Sequence, residues 1–332
     1  MKPDFVKTWI PAFAATTAFV VCTGGVHAAQ SAPAANYPNK PLRWVIPFAP
    51  GGGTDVVARP IAQRMSERLG QPILYENRGG GGGIIAGEIV ARATPDGYTL
   101  LVAAVAVMTV TPTLTKMPFD PHRDLVPITK FASVPNMLTA RAAFAPRTVQ
   151  EIVDYARANP GKVNWASSGT GSAGTLAMEL FRMKNAIKVT HVPYKGAGPA
   201  NVALLSNEAD LLFANPGVFM AHIKAGRLKA IAVASTKRIA IMPDLPTMVE
   251  SGYPGFESGS WYGLAAPART SPKIVSFLHG EAVKVLAQPE LIAHLANDGA
   301  SPVANTPEQF TREIQEETAK WARVIKDAGI KM

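Results

Sequence analysis

Two stretches of the chain hold residue types whose spacing could do chemistry, and in both that chemistry is done mostly by backbone. The first is Pro47-Phe48-Ala49-Pro50-Gly51-Gly52-Gly53-Thr54-Asp55, and the second is Ser168-Gly169-Thr170-Gly171-Ser172-Ala173-Gly174-Thr175. Glycine lets a ligand approach the main chain closely. If each stretch opens a helix, its first-turn N–H groups have no intrahelical partner and face outward as a cradle for an anion. Such a start favours a negative group by roughly 0.3–1 kcal/mol, and by up to ~2 when partly buried. Thr54 or Asp55 is expected to cap the first helix. The glycines would then be the point of approach, so Gly52→Val would block a ligand while Asp55→Asn would change binding little.

The flanking residues supply the elements that such cradles need. Leu42 to Ile46 reads as a buried strand, and Val56, Val57, Ile61, Met65 and Leu69 follow at helical spacing until Gly70-Gln71-Pro72. Pro72 to Asn77 is a second strand, followed by Gly79 to Gly83 and a helix over 84–93. Leu100 to Val107 is apolar enough for a central strand buried on both faces, and Leu125 to Ser133 is another strand. From Pro135 the pattern restarts with a helix over 148–159, a strand over 163–167, the second Gly/Ser turn and a helix over 176–183. Further strands fall at 189–194, 210–214, 228–234 and 260–266, with helices at 200–206 and 218–224. Three helices at 272–286, 290–297 and 307–327 close the chain. This alternation is the signature of parallel α/β layers. Two halves of one layout, facing each other, would set both turns across a single cleft.

Composition narrows the function classes. Lys2 and Lys7 precede a 13-residue, mostly apolar core from Trp9 to Val21, and Val26-His27-Ala28 suits a signal peptidase. Residues 1–28 therefore read as a secretory signal peptide and 29–37 as a Pro/Ala-rich tether. The core is too short for a membrane anchor, and Val21 before Cys22 is too bulky for a lipoprotein signal. Cleavage removes the only cysteine and one net positive charge, so +9 falls to +8 over 304 residues. Two domains held by ordinary hydrophobic cores are expected. The basic residues are scattered, which argues against nucleic acid as a partner. His122, His191, His222, His279 and His294 make no ligand pair, so neither a metal nor another cofactor is expected.

Two enzyme readings compete for the second turn. Gly169-x-Gly171-x-x-Gly174 matches a dinucleotide fingerprint, but no acidic residue stands about 20 positions on. Thr170 to Gly174 approaches a hydrolase nucleophile elbow around Ser172, with Thr170 where the first glycine belongs. A secreted hydrolase using Ser172 is the alternative to a binding function.

The run from Pro47 to Asp55 resembles the opening signature of the Bug-type extracytoplasmic solute receptors, the binding proteins of tripartite tricarboxylate transporters. The likeness continues through Glu76-Asn77-Arg78 with its glycines, Pro95 to Leu100, Asp124 to Ile128 and His191 to Gly196. It ends with Ala225 to Leu228, Pro243 to Thr247 and the neighbourhood of Trp321. The resemblance implies a monomeric two-domain α/β periplasmic binding protein of type II-like fold. Two crossing hinge segments would join domain one (38–137 and 260–332) to domain two (138–259), with the ligand cleft between them. It implies no catalysis, a small carboxylate ligand, and delivery to membrane permease subunits. Pro50, Gly51, Gly52, Thr54 and Asp55 would hold the carboxylate from one side, with Phe48 beside them. Ser168, Gly169, Thr170, Gly171 and Ser172 would hold it from the other, with Ala104, Thr175 and Asn215 completing the ligand set.

Two departures from the family pattern bear on the ligand. Thr175 stands where the family has a histidine, and Ala104-Val105-Ala106-Val107-Met108 replaces a polar segment. If that segment borders the cleft, it favours one carboxylate on an aromatic or otherwise apolar body, with Met108 adding a sulfur–aromatic contact. The competing reading is that these side chains point into the sheet and say nothing about the ligand.

Overall fold

The computed structural model describes residues 37–328 apart from Thr170. The signal peptide, all of the tether but Tyr37, and Thr170 lie outside the described residues. Eleven strands form two sheets. The first sheet contains β1 (Leu42–Ile46), β2 (Ile73–Asn77), β3 (Thr99–Ala104), β4 (Leu125–Pro135), β10 (Gly259–Pro267) and β11 (Ser301–Pro302), in the order β11-β4-β10-β3-β1-β2. The second contains β5 (Met137–Arg141), β6 (Asn164–Ser167), β7 (Thr190–Pro193), β8 (Leu211–Ala214) and β9 (Leu228–Val233), in the order β7-β6-β8-β5-β9. The chain crosses between sheets twice, at Asn136 and again between β9 and β10.

Both sheets are mixed, which corrects the expectation of parallel layers. The β1 strand pairs parallel to β2 and β3, and β6 pairs parallel to β7 and β8. The strands nearest the crossings run the other way: β10 is antiparallel to β3 and β4, and β5 to β8 and β9. A strand that enters from the other sheet needs no helical crossover to reach its neighbour, so nothing forces it parallel. The β5 strand was hidden in the sequence because only Asn136 separates it from β4.

The first core packs the helices Gly53–Leu69 and Pro272–Leu286 on one face of the first sheet, around Trp44, Phe131, Ile61 and Leu278. Trp44 and Phe131 stack at 5.6 Å. The second sheet is covered by the helices Val149–Ala158 and Ala173–Asn185 around Trp165, Phe181 and Phe213. The expected long strand at 100–107 stops at Ala104. The chain then tightens into a π-helical turn, Ala106–Val110, where the Thr109 hydroxyl bonds back to the Val105 carbonyl at 2.7 Å.

Candidate functional site

Four strand ends meet in one place. The carboxyl ends of β1 and β3 in the first sheet face those of β6 and β8 in the second, as expected for ligand sites in open α/β sheets. They enclose a cavity with an open volume of about 40 Å³, lined on one side by Phe48, Gly52 to Thr54 and Ala104 to Ala106. Ser168, Ser172 to Gly174, Ala197 and Phe213 to Asn215 line the other side, and Asn136, Ser260 and Tyr262 line the wall nearest the crossings. That is the space of about three water molecules, enough for a carboxylate and little more. A second compartment of about 200 Å³ shares Phe48 and Ser168 with it and continues between Gly80–Gly82 and Pro193–Lys195. Among the described residues, no Lys, Arg, His, Asp or Glu lines the inner cavity.

Its polarity comes from uncharged side chains such as Asn136, Ser168, Asn215, Ser260 and Tyr262, and from two helix starts. The first helix begins at Gly53, with Gly52 as an extended N-cap and no side-chain cap. The N–H groups of Gly53 and Thr54 hold the first two helical positions, which have no intrahelical acceptor, and both residues line the cavity. Asp55 turns away from it. One carboxylate oxygen accepts from the Gly51 N–H at 2.8 Å and the other from Asn77 Nδ2 at 3.0 Å, while Arg59 stands 3.4 Å away. The expected capping by Thr54 or Asp55 is therefore corrected: Gly52 caps, and Asp55 ties down the loop before it. Three donors converge on its carboxylate, so a loss on amidation is expected where the sequence alone suggests little change.

The second helix begins at Ala173, and Ser172 is its N-cap, accepting from the Thr175 N–H at 3.2 Å. The Thr175 hydroxyl donates to the Gly169 carbonyl at 2.6 Å. Its proton is thus committed, and the Ser172 hydroxyl, 2.9 Å away, donates to it. Ala173 and Gly174 hold the first two positions of this helix, whose N–H groups have no intrahelical acceptor, and both residues line the cavity. Behind the turn, Ser167 Oγ accepts from the Gly169 N–H at 3.3 Å and meets His191 Nε2 at 2.6 Å. Burial lowers the His191 pKa, against an opposing pull from Glu179.

The two sides touch around the cavity. The Ala49 N–H donates to the Lys195 carbonyl at 3.0 Å, and Gly198 is packed so tightly on Pro50 that a Cβ there would strike its carbonyl. The Tyr262 hydroxyl donates to Asn215 Oδ1, and Asn215 Nδ2 reaches the Val134 carbonyl at 3.4 Å. Burial pushes the Tyr262 pKa up to about 12, moderated by the Ser260 and Thr54 hydroxyls.

Of the residues singled out in the sequence, Phe48, Gly52, Thr54, Ala104, Ser168, Ser172 and Asn215 stand together at the cavity. Gly169 lines the outer compartment. Pro50, Gly51, Asp55, Gly171 and Thr175 stand behind the lining, and Thr170 lies outside the described residues. Met108 is buried in the core with Val110, Trp261 and Phe310, so the contact expected of it to an aromatic ligand is corrected. Gly53 is the position without room: a Cβ there would run into Asn215 and Tyr262, whereas one at Gly52 has nothing nearer than 3.6 Å. Sequence reasoning missed Tyr262, Ser260 and Asn136. The first two lie on a strand it did identify, and Asn136 is the one polar residue between two apolar strands.

Among the described residues no cluster of His, Cys, Asp or Glu could hold a metal ion, and no helix is long and apolar enough to cross a membrane. A sequence profile described as "Tripartite tricarboxylate transporter family receptor" matches residues 57–330. Protein BugT of Bordetella pertussis is 35% identical, over 94% of this chain and 96% of its own length. The periplasmic binding protein BugD superimposes with a TM-score of 0.85 at 36% identity, covering 89% of this chain and 99% of BugD. MatC from Rhodopseudomonas palustris, solved with bound malate, gives 0.83 at 34% identity over 87% and 100%. An R. palustris protein solved with adipate gives 0.86 at 34% over 89% and 99%. Two of these relatives are solved with malate or adipate bound and a third is a periplasmic binding protein, and the hydrolase reading falls with them: the Ser172 proton is engaged by Thr175, and the histidine of this region serves Ser167. The dinucleotide reading falls with the same relatives, which are solute-binding proteins.

Proposed function

The chain belongs to the tripartite tricarboxylate transporter family of receptors, and on that premise we propose that it captures a small carboxylate between two moving lobes and hands it to membrane permease subunits. The lobes follow the sheets to within one residue, with 38–137 and 260–328 in one and 138–259 in the other, Met137 and Gly259 being the boundary residues where strands of the opposite sheets begin, and the receptor works as a monomer in the periplasm. One observation carries the reading: two helix starts, one from each sheet, line one cavity without a fixed charge, and each has first-turn N–H groups with no intrahelical acceptor. Such a cavity suits one anionic group held by backbone.

Four charge-assisted bonds at ~1.5–3 kcal/mol each give a gross gain of about 6–12 kcal/mol. Ordering and lobe closure reduce it, and micromolar binding needs about 8, so a dissociation constant near micromolar is expected. The methyl groups of Ala104, Val105 and Ala106 leave no counter-charge for a second carboxylate inside the cavity, where an unpaired one costs several kcal/mol. The ligand class is therefore one carboxylate on an apolar or aromatic body that reaches into the outer compartment. The relatives solved with malate and adipate support the carboxylate; the alanine-rich wall favours the apolar body.

Calorimetry against benzoate-type, short aliphatic and tricarboxylic acids tests this. Benzoate-type acids should bind tightest, and citrate binding tightest would refute the apolar-body assignment. Small-angle scattering at saturating ligand should show compaction, and its absence would remove the moving lobes.

A further inference from the structure

The crossings between the sheets are tied to each other through side chains. Asn136, between β4 and β5, is buried at 1% exposure, and Ser258, just before β10, at 7%. The Asn136 N–H donates to the Ser258 carbonyl at 2.9 Å, the Ala234 N–H to the Asn136 carbonyl at 2.7 Å, and the Ser258 N–H to the Ala234 carbonyl at 3.0 Å. Side chains then extend this knot toward the ligand cavity. Asn136 Nδ2 donates to Ser258 Oγ at 2.9 Å, and Ser258 Oγ donates to the Ala173 carbonyl at 3.1 Å. A serine hydroxyl has one proton. With it spent on Ala173, Ser258 must accept from Asn136, which fixes the orientation of the Asn136 amide.

The two ends of this relay are both cavity residues. Asn136 lines the wall nearest the crossings, and Ala173 is the first residue of the second helix start. Ser258 lines no part of the cavity, yet it bonds to one residue at each end. We infer that Asn136 and Ser258 are positioning residues that couple the angle between the lobes to the placement of the second helix start. A rotation at the crossings shifts Asn136 relative to Ser258, and the relay passes that shift to Ala173. Closure and assembly of the anion cradle are then one event.

This inference rests on the two-lobe reading above, and the test separates the two. The mature chain without Cys22 has no cysteine, so Glu67→Cys in one lobe and Val202→Cys in the other give exposed, specific label sites. Spin labels there report the inter-lobe distance distribution without any ligand, and again with benzoate and adipate as probes. Wild type should show a narrow distribution. Ser258→Ala, at a residue that does not itself line the cavity, should broaden it about twofold as the tie opens, and Ser258→Thr should restore it. Should the alanine variant fail to fold, the isosteric pair Ser258→Thr and Ser258→Val asks the same question of the hydroxyl alone. A Ser258→Ala distribution as narrow as wild type, in a protein whose lobes move with a probe, overturns the coupling and leaves the two-lobe reading standing. One fixed distance in wild type under every condition removes both.

Discussion

The two helix starts at the cavity leave the same first-turn N–H groups without intrahelical acceptors, on different supports. The start at Gly53 has a glycine N-cap with no side chain to satisfy it, and its loop is held from behind by the Asp55 carboxylate. The start at Ala173 has a serine N-cap, braced by Thr175 and the Ser167–His191 pair. Their surroundings account for the difference. Asn215 of the other sheet and Tyr262 press on Gly53, so the turn has no space for side chains. The second start is crowded instead from within its own sheet, where Gly174 lies on the backbone carbonyl of Phe213. The first turn is thus shaped in part by a residue of the other sheet, and the second by the strand beneath it.

The same substitution at the two starts should therefore fail in two different ways. Gly53→Ala places a methyl group against Asn215 and Tyr262, at the contact between the sheets. Binding should fall more than 100-fold, over about 2.7 kcal/mol, while the melting temperature changes little. Gly174→Ala drives its methyl into a main-chain atom that cannot give way, so it should lower stability by about 1–3 kcal/mol as an overpacked site does. Calorimetry and thermal melts on both variants check this. Loss of stability in Gly53→Ala equal to that in Gly174→Ala would erase the distinction.

Asp55 sharpens the comparison at a smaller scale. Replacing one oxygen by an amide turns an acceptor toward the Gly51 N–H or Asn77 Nδ2 into a donor. An unmade bond of this kind costs about 1–3 kcal/mol. Asp55→Asn should weaken binding by at least about fivefold, the lower end of that cost, through a looser loop. Unchanged affinity in titration of this variant would show that the first turn holds itself without the carboxylate.

What the sequence made legible follows from how local each signal is. The strand Leu42–Ile46, the helix end at Gly70, and the helices from Pro272 and Pro307 are marked by apolar periodicity and by Gly or Pro, and the structure has them. The two Gly-rich turns were legible as helix starts for the same reason. The capping of the first was not, because a glycine N-cap leaves no side chain to recognise. Gly53, Tyr262 and Asn136 matter through contacts that span 47 to 209 positions of chain, from Tyr262 with Asn215 to Gly53 with Tyr262. Nothing in the local pattern encodes those distances. Reversal of β5 and β10 was hidden likewise, since strand direction depends on where a segment enters the sheet.

The gentlest way to separate the two starts is acid. Only the second leans on a histidine: His191 Nε2 meets Ser167 Oγ, which accepts from the Gly169 N–H at the head of the turn. Burial disfavours the charged imidazole, so the pKa in the folded protein lies below the ordinary value, with Glu179 opposing the shift. The unfolded chain, titrating near 6.5, takes up a proton before the folded chain does. The contribution of His191 is therefore fully present above that unfolded value and is lost as pH falls through the lower, folded one. Wild type should lose stability on acidification across this window, and binding should weaken with it as the Gly169 turn loses its brace. His191→Gln keeps a hydrogen-bonding group but does not titrate, so its melting temperature should fall less over the same range. The effect should be smaller than either loss above. Parallel pH profiles of the melting temperature for wild type and His191→Gln would show that the second turn does not depend on the neutral imidazole.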